Sequence, residues 1–313
     1  MIKIFDSYIT PEISIQSVNG KNLLIVEIFP GSHKPYFLKN NGKDKGTYIR
    51  IGSTNRKASS EILMDLERQR RNIFFDSEPC YNLSLTDIDL SPFLLHYNAV
   101  SKRNLDESHL YNLGLLVNER ETTYPTNAAI LLSENGVRER LFPFAKIECA
   151  RFKNKAMDYF VDQMTVNLPL HRAAEACMTF IKKNIALGAR IGEIYREERW
   201  EYPLEAIRES IINAIVHRDY SQQGSDIKVA IYDHKLEITS PGHLPETLTL
   251  DDLGTGRSVI RNRTLAIIFK DLKLIEAWGT GILKIKETQK DYSEIDINFK
   301  EVGYAFQVEF IKK

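Results

Sequence analysis

The order of elements in the last third of the chain leaves few folds open. An amphipathic helix begins at Tyr202-Pro203, where the missing N–H of a first-turn proline is tolerated. Period-two alternation around a short turn then indicates a hairpin. In order, the predicted elements are this helix, strands at 227–232 and 236–239, an apolar helix near 265–269, a helix after Gly279-Thr280-Gly281, and strands at 295–299 and 304–311. Helices that alternate with paired strands predict an α/β (α+β) fold.

The upstream part divides into a strand-rich start and a mixed middle. Asn19-Gly20 predicts the turn of a hairpin over 13–30, and a strand at 47–52 precedes an amphipathic helix over 59–72. Helices are predicted at 94–105 and 170–187, and strands at the apolar runs 128–132 and 145–151. We therefore expect three domains, at 1–78, 79–168 and 169–313.

The charge balance and the cysteines exclude several classes of protein. The 42 Lys plus Arg balance 42 Asp plus Glu, which excludes a histone-like polycation but leaves room for a local basic face. The three cysteines contain no Cys-x-x-Cys pair, which argues against a disulfide framework and a structural zinc site. No window approaches the roughly eighteen apolar residues that a membrane span needs. We expect a cytoplasmic protein that does not insert into a membrane.

Two polar features of the last third can carry chemistry. Glu209 and Asn213 are four residues apart, so they lie on neighbouring turns of one helix face and could share a ligand. Gly279 and Gly281 precede a helix, where backbone N–H groups can approach phosphate oxygens. Each feature has an ordinary alternative, a solvated helix face or a simple turn, and their order along the chain favours a ligand site.

This ordered set resembles the GHKL (Bergerat) ATP-binding sandwich of gyrase, MutL and histidine kinases. The resemblance is closest to a divergent branch found in bacterial transcriptional regulators that are often labelled RecG-like helicases. The residues that carry it are Glu209, Asn213, Pro203-Leu204-Glu205-Ala206, His217-Arg218-Asp219-Tyr220, Ser240-Pro241-Gly242-His243-Leu244-Pro245, Arg261-Asn262 and Gly279-Thr280-Gly281.

The resemblance implies that the C-terminal domain binds ATP with Mg²⁺ and hydrolyses it slowly. Glu209 would then be the general base and Asn213 the Mg²⁺ ligand. The implied nucleotide-binding residues are Asn213, His217, Arg218, Ser240, Gly242, Arg261, Asn262, Gly279, Thr280 and Gly281, with a lid over 254–278 that nucleotide would order. Ser240 stands where this fold usually has an Asp that accepts the adenine amino group, so its hydroxyl would have to accept that bond.

The segment at 48–58 resembles the end of a Schlafen-type AlbA DNA-binding domain. Its implied nucleic-acid-binding residues are Arg50, Asn55, Arg56 and Lys57. The segment from Lys39 to Arg71 contains nine basic and four acidic residues, and this local excess of five positive charges suits contact with phosphate. The first half of that domain has no counterpart here, so we expect Met1 to begin inside it and the AlbA-like module to be partial.

Two other functions stay open at this level. The chain could be a DNA-binding regulator whose GHKL-like domain has lost nucleotide and serves as a dimerisation scaffold, which Ser240 motivates. The cavity could also take another small anion. His217-Arg218-Asp219 also matches the catalytic loop of protein kinases, but no Asp-Phe-Gly follows it, which argues against a protein kinase. Related folds often dimerise, so we expect a homodimer whose partners are nucleotide and DNA.

Overall fold

A computed structural model describes residues 11–29, 31, 33–51, 54–103, 105–134, 136–154, 159–191, 196–245, 248–276 and 279–313. The predictions that touch Pro30, Gly52-Ser53, Asn104 and Ala277-Trp278 lie partly outside these residues. The chain divides into two compact units, Met1–Ile73 and Phe74–Lys313. Among the helices of the described residues, none combines the length and the apolar character that a bilayer crossing requires.

The described part of the N-terminal unit contains two hairpins, two α-helices and a short 3-10 helix at Lys39–Asn41. Its elements are β1 (Glu12–Val18), β2 (Lys21–Glu27), α1 (Gly42–Gly46), β3 (Tyr48–Ile51), β4 (Thr54–Lys57) and α2 (Ser60–Arg71). The predicted turn at Asn19-Gly20 is confirmed, and both residues have the positive φ, 52° and 75°, that such a tight turn requires. The predicted helix over 59–72 is α2, whose N-cap Ser59 accepts a hydrogen bond from the Ile62 N–H.

The C-terminal unit is built on a six-stranded mixed sheet. The strands of this unit are β5 (Leu116–Glu119), β6 (Thr122–Pro125), β7 (Ile147–Phe152), β8 (Phe160–Val166), β9 (Leu187–Ile191), β10 (Arg196–Trp200), β11 (Ile227–Ile231), β12 (Lys235–Pro241), β13 (Ile295–Val302) and β14 (Ala305–Lys312). Strands β5 with β6 and β9 with β10 form separate two-stranded sheets, and the other six strands form the large sheet. The helices of this unit are α3 (Ser91–Ser101), α4 (Glu107–Asn112), α5 (Asn127–Leu132), α6 (Gly136–Leu141), α7 (Leu170–Asn184), α8 (Leu204–Val216), α9 (Arg263–Asp271) and α10 (Gly281–Thr288).

The strand order in the sheet is β13-β14-β12-β11-β7-β8. β7 and β11 run parallel, and the other neighbouring pairs run antiparallel. Helices α7 to α10 share one apolar core with this sheet. The isoleucine stripe of α8, Ile207, Ile211 and Ile215, is fully buried there. The mixed α/β fold predicted from the sequence is therefore confirmed, and β7 and β8 of the sheet come from the 79–168 segment.

The prediction of a strand at 128–132 is wrong, because these residues form most of α5. A run of five apolar residues has no period that separates a buried strand from a buried helix. The signal that decides lies one residue upstream of the helix, where the hydroxyl of Thr126 accepts a hydrogen bond from the Ala129 N–H and caps its first turn. α7 also ends at Asn184 rather than near 187, since Ile185 has extended backbone.

Candidate functional site

A cavity of about 480 Å³ lies between α8, the end of β12 and the start of α10. The lining includes eight of the predicted residues: Glu209, Asn213, His217, Ser240, Gly242, Arg261, Gly279 and Gly281. One wall is apolar, with Ile238, Ile285 and Val308 almost completely buried. The cavity thus has an apolar wall beside a cluster of polar groups.

The side of α8 that lines the cavity supplies the acid and the amide at its polar end, and both side chains are half-buried. Asn213 Nδ2 donates a hydrogen bond of 3.3 Å to Glu209 Oε1, as their four-residue spacing predicts. Burial raises the pKa of Glu209, against the smaller opposing effects of the Arg208 charge and the Asn213 amide. A carboxylate with a raised pKa is a stronger base than an exposed one, so Glu209 is suited to accept a proton.

The glycine turn before α10 lies directly against Glu209. A Cβ at Gly281 would fall 1.9 Å from Glu209 Oε1, so only glycine leaves the carboxylate its place. Gly279 has φ +63°, and a Cβ there would meet Ser258 at 2.9 Å. The Gly-x-Gly predicted as a phosphate loop is thereby brought to the same end of the cavity as Glu209 and Asn213.

The end of β12 forms another part of the lining. Ser240 is buried, and its hydroxyl donates a 2.8 Å hydrogen bond to the Ala214 carbonyl of α8. Gly242 follows with φ +116°, and a Cβ there would lie 2.2 Å from Arg261 Nη1. Gly242 therefore lets the Arg261 guanidinium pack against the backbone where the strand ends.

Arg261 and His217 both line the cavity and are joined by a hydrogen bond. Arg261 donates to the carbonyls of His217, at 3.2 Å, and His243, at 2.7 Å. His217 ends α8, and its N–H bonds the Asn213 carbonyl. Burial, and then the Arg261 charge, lower the pKa of His217 to about 4, so its imidazole is neutral near pH 7.

Among the described residues, Arg218, Asn262 and Thr280 do not line the cavity. The fully buried Arg218 donates to the carbonyls of Asp219, Gln222 and Ser225, and so holds the loop after α8. The fully buried Asn262 donates to the carbonyls of Val216 and Arg218 at the end of α8. The Thr280 hydroxyl donates to Glu276.

The lining also contains residues that sequence reasoning did not single out as site residues. His243, Arg257 and Glu276 line the cavity. The buried Nε2 of His243 has no hydrogen-bond partner among the described residues. His243 directly follows the predicted Gly242, and Arg257 and Glu276 lie within the predicted lid over 254–278, so the available signal was their position in these segments. Part of the predicted lid, Ala277 and Trp278, lies outside the described residues.

The predicted nucleic-acid-binding residues lie on the β3–β4 hairpin of the N-terminal unit. Arg50 is paired with Asn55, and Tyr48 with Lys57, so Arg50, Asn55 and Lys57 share one face. Arg56 is paired with Ile49 and lies on the other face. All four predicted side chains are exposed. The hairpin therefore presents three of the four on one surface.

Comparison with known proteins connects both units to described families. Residues 224–310 match the family model described as "Putative ATP-dependent DNA helicase recG C-terminal", and residues 2–59 match the one described as "Schlafen, AlbA_2". These matches confirm the resemblance predicted from the sequence, with an ATPase-like domain at the C-terminus.

Among solved structures, the DIP2311 protein from Corynebacterium diphtheriae is similar to this chain. Its TM-score is 0.61 at 18% sequence identity, over 96% of this chain. This chain spans only 59% of the length of that one, and at this identity the likeness shows a shared fold. No curated protein matches the chain.

Proposed function

We propose that this chain, whose C-terminal unit carries an ATPase-like domain, binds ATP with Mg²⁺ in the cavity and hydrolyses it slowly. The observation that supports this best is the contact between the Glu209–Asn213 pair and the Gly279–Gly281 turn. It gathers a base, an amide oxygen and a glycine turn at one end of a cavity whose wall is apolar. A nucleotide has matching halves, a flat base and a charged phosphate tail.

The residues at the polar end fit a metal-bound triphosphate. Asn213 uses its amide nitrogen on Glu209, which leaves its oxygen available as a hard, uncharged ligand. Mg²⁺ held there would neutralise the charge of the phosphates. Glu209, oriented by the Asn213 amide, would accept the proton of an attacking water. Gly281 lets the start of α10 lie directly against that carboxylate.

The residues at the strand end fit a base, with weaker selection than an acidic residue would give. The proton of Ser240 is committed to the Ala214 carbonyl, so the hydroxyl offers lone pairs to an amino group. A neutral acceptor makes a weaker hydrogen bond than a carboxylate. His243 Nε2, buried at the cavity without a partner among the described residues, is a second group that a base could satisfy.

We further propose that the output is transcriptional regulation through DNA contact by the N-terminal hairpin, in a cytoplasmic homodimer. Arg50, Asn55 and Lys57 share a face there, and two cations with an amide between them suit backbone phosphates. Binding of this type weakens steeply as salt rises. A gel shift at two salt concentrations, with Lys57→Ala and Arg50→Ala against wild type, tests it; unchanged retardation in both variants would overturn it.

The test of the nucleotide proposal is isothermal titration of ATP with Mg²⁺ into wild type and Asn213→Ala, followed by phosphate release from wild type and Glu209→Gln. We expect Asn213→Ala to lose the heat and Glu209→Gln to bind without turnover. Glu287→Gln is the control, because Glu287 is an exposed carboxylate on α10 that does not line the cavity. No heat and no thermal shift in wild type at millimolar ATP would refute ATP binding.

Ser240 favours one alternative, a regulator whose C-terminal domain does not bind nucleotide. Its buried hydroxyl already has a protein acceptor, so the strand end is satisfied without a base. In that case DNA retardation would be the same in Asn213→Asp as in wild type, with and without ATP. Competition of a fluorescent nucleotide by a panel of small anions separates both functions from a site for a different anion.

A further inference from the structure

A carboxylate of the chain itself occupies the polar donors beside the glycine turn. Glu276 lines the cavity, and its Oε2 accepts a 3.1 Å hydrogen bond from the Thr280 hydroxyl. Its Oε1 forms an ion pair with the Lys284 ammonium. Thr280 immediately precedes Gly281, and Lys284 lies one turn further along α10. One acidic side chain thus holds both the Thr280 hydroxyl and the Lys284 ammonium at the start of α10.

The charges around Lys284 show that this ammonium lies within the field of the candidate site. The ion pair with Glu276 is the largest influence that raises the pKa of Lys284, and the Glu209 and Glu205 charges add to it. In return, Lys284 and then Thr280 lower the pKa of Glu276. Lys284 also counters the raised pKa of Glu209, while Glu276 adds to it. The ammonium therefore acts on both Glu209 and Glu276, which line the cavity.

We propose that Lys284 is a phosphate-binding residue and that Glu276 is its intramolecular competitor. The inference rests on the proposed nucleotide function. A carboxylate and a terminal phosphate are both anions that accept hydrogen bonds from a hydroxyl and an ammonium. Glu276 therefore keeps Thr280 and Lys284 partnered until the terminal phosphate of a nucleotide replaces it. Lys284 then moves from one anion to the other, and Glu276 turns toward solvent.

A phosphate can displace Glu276 from Lys284 because the Glu276–Lys284 ion pair is weak and exposed. Their side chains are 61% and 52% accessible, and ion pairs so open to water contribute little. A phosphate with more charge, held in the cavity by the rest of its nucleotide, outcompetes such a pair. The device therefore selects ligands by their phosphate tail: ATP gains from Lys284, whereas adenosine, which has no phosphate, leaves the ion pair in place.

The test is isothermal titration of ATP, ADP and adenosine, each with Mg²⁺, into the full chain and its variants Glu276→Gln, Lys284→Met and the double variant. Glu287→Gln, an exposed carboxylate on the same helix, is the control. We expect Lys284→Met to weaken ATP about 10-fold, Glu276→Gln to tighten it about 5-fold, and adenosine to change in neither. In the double variant the gain from Glu276→Gln should disappear, because no lysine is released.

The double variant separates competition from plain repulsion. If Glu276 only repels phosphate, removing its charge tightens ATP equally with and without Lys284, and the proposal fails. It also fails if Glu276→Gln weakens ATP, since Glu276 would then be a ligand, or if Lys284→Met behaves like the control. Binding in wild type without these shifts overturns this inference alone. Absence of binding in wild type and in every variant overturns the nucleotide function with it.

Discussion

Replacing Asp76 by Asn should change how the stability of the C-terminal unit depends on pH. Asp76 is fully buried, and its Oδ2 accepts a 2.9 Å hydrogen bond from the Leu265 N–H in the first turn of α9. Its Oδ1 has no partner among the described residues. α9 begins directly after Arg261 and Asn262, so this carboxylate anchors the helix that follows the cavity wall.

Because the pKa of Asp76 is raised in the folded state, its effect on stability changes with pH in a known direction. Burial raises the pKa of Asp76 from its ordinary 3.8 to about 6, although the backbone N–H groups of α9 oppose it. The folded state then holds the proton more tightly than the unfolded state, so this group stabilises less as pH rises from 4 to 6. The difference between 3.8 and about 6 corresponds to about 3 kcal/mol of destabilisation above pH 6. Asn cannot ionise, so Asp76→Asn removes that cost at pH 8 and gains little at pH 4.

The assay is urea unfolding of wild type and Asp76→Asn at pH 4 and pH 8, followed by tryptophan fluorescence. Both tryptophans, Trp200 and Trp278, belong to the C-terminal unit, so the signal reports that unit alone. The free-energy advantage of the variant should grow by about 2–3 kcal/mol from pH 4 to pH 8. The unpaired amide of Asn adds a penalty of about 1–3 kcal/mol at both pH values, which cancels in the comparison. A constant difference, or one that grows toward low pH, would refute the raised pKa.

Three further substitutions test the site. Gly281→Ala should displace Glu209 and so reduce the rate of phosphate release at least about 10-fold, while the free energy of unfolding changes by less than about 1 kcal/mol. Gly136→Ala is the control, because a Cβ at Gly136 has open space around it, and it should change neither quantity. Asn262→Ala should lower the free energy of unfolding by about 3 kcal/mol in urea, since it leaves two buried carbonyls without donors, and a loss of ATP affinity at unchanged stability would contradict this role. Ser240→Ala should cost about 1 kcal/mol in the same assay, and no change would show that the buried carbonyl finds another donor.

The polar pair on α8 could be predicted because its geometry is local. Side chains four residues apart on a helix meet whatever surrounds them, so Glu209 and Asn213 needed only the apolar stripe that defines the helix. The glycines of the turn were equally legible as residues that permit close approach. What the spacing could not supply is the partner of that approach. The steric conflict between a Cβ at 281 and the Glu209 carboxylate links residues 72 positions apart in the chain.

The sequence did not predict the roles of buried polar groups whose partners are backbone atoms far away in the chain. Arg218 and Asn262 belong to the motif segments, yet their side chains end on carbonyls near the end of α8. Nothing in a residue type separates a guanidinium that meets phosphate from one that closes a loop. Asp76, with no motif around it, contacts α9 across 189 residues of sequence. Such contacts arise from the topology of the sheet and helices, which local propensity does not encode.

Helix α10 connects the two ends of the proposed mechanism. Its first residue, Gly281, lies against the Glu209 carboxylate, and its Lys284, one turn later, holds Glu276. If α10 moves when Lys284 changes partner, the surface that confines Glu209 moves with it, because a helix shifts as a rigid element. Occupancy of the phosphate end and orientation of the base are then one event. On this argument Lys284→Met should reduce turnover more than its loss of ATP affinity accounts for, even at saturating ATP.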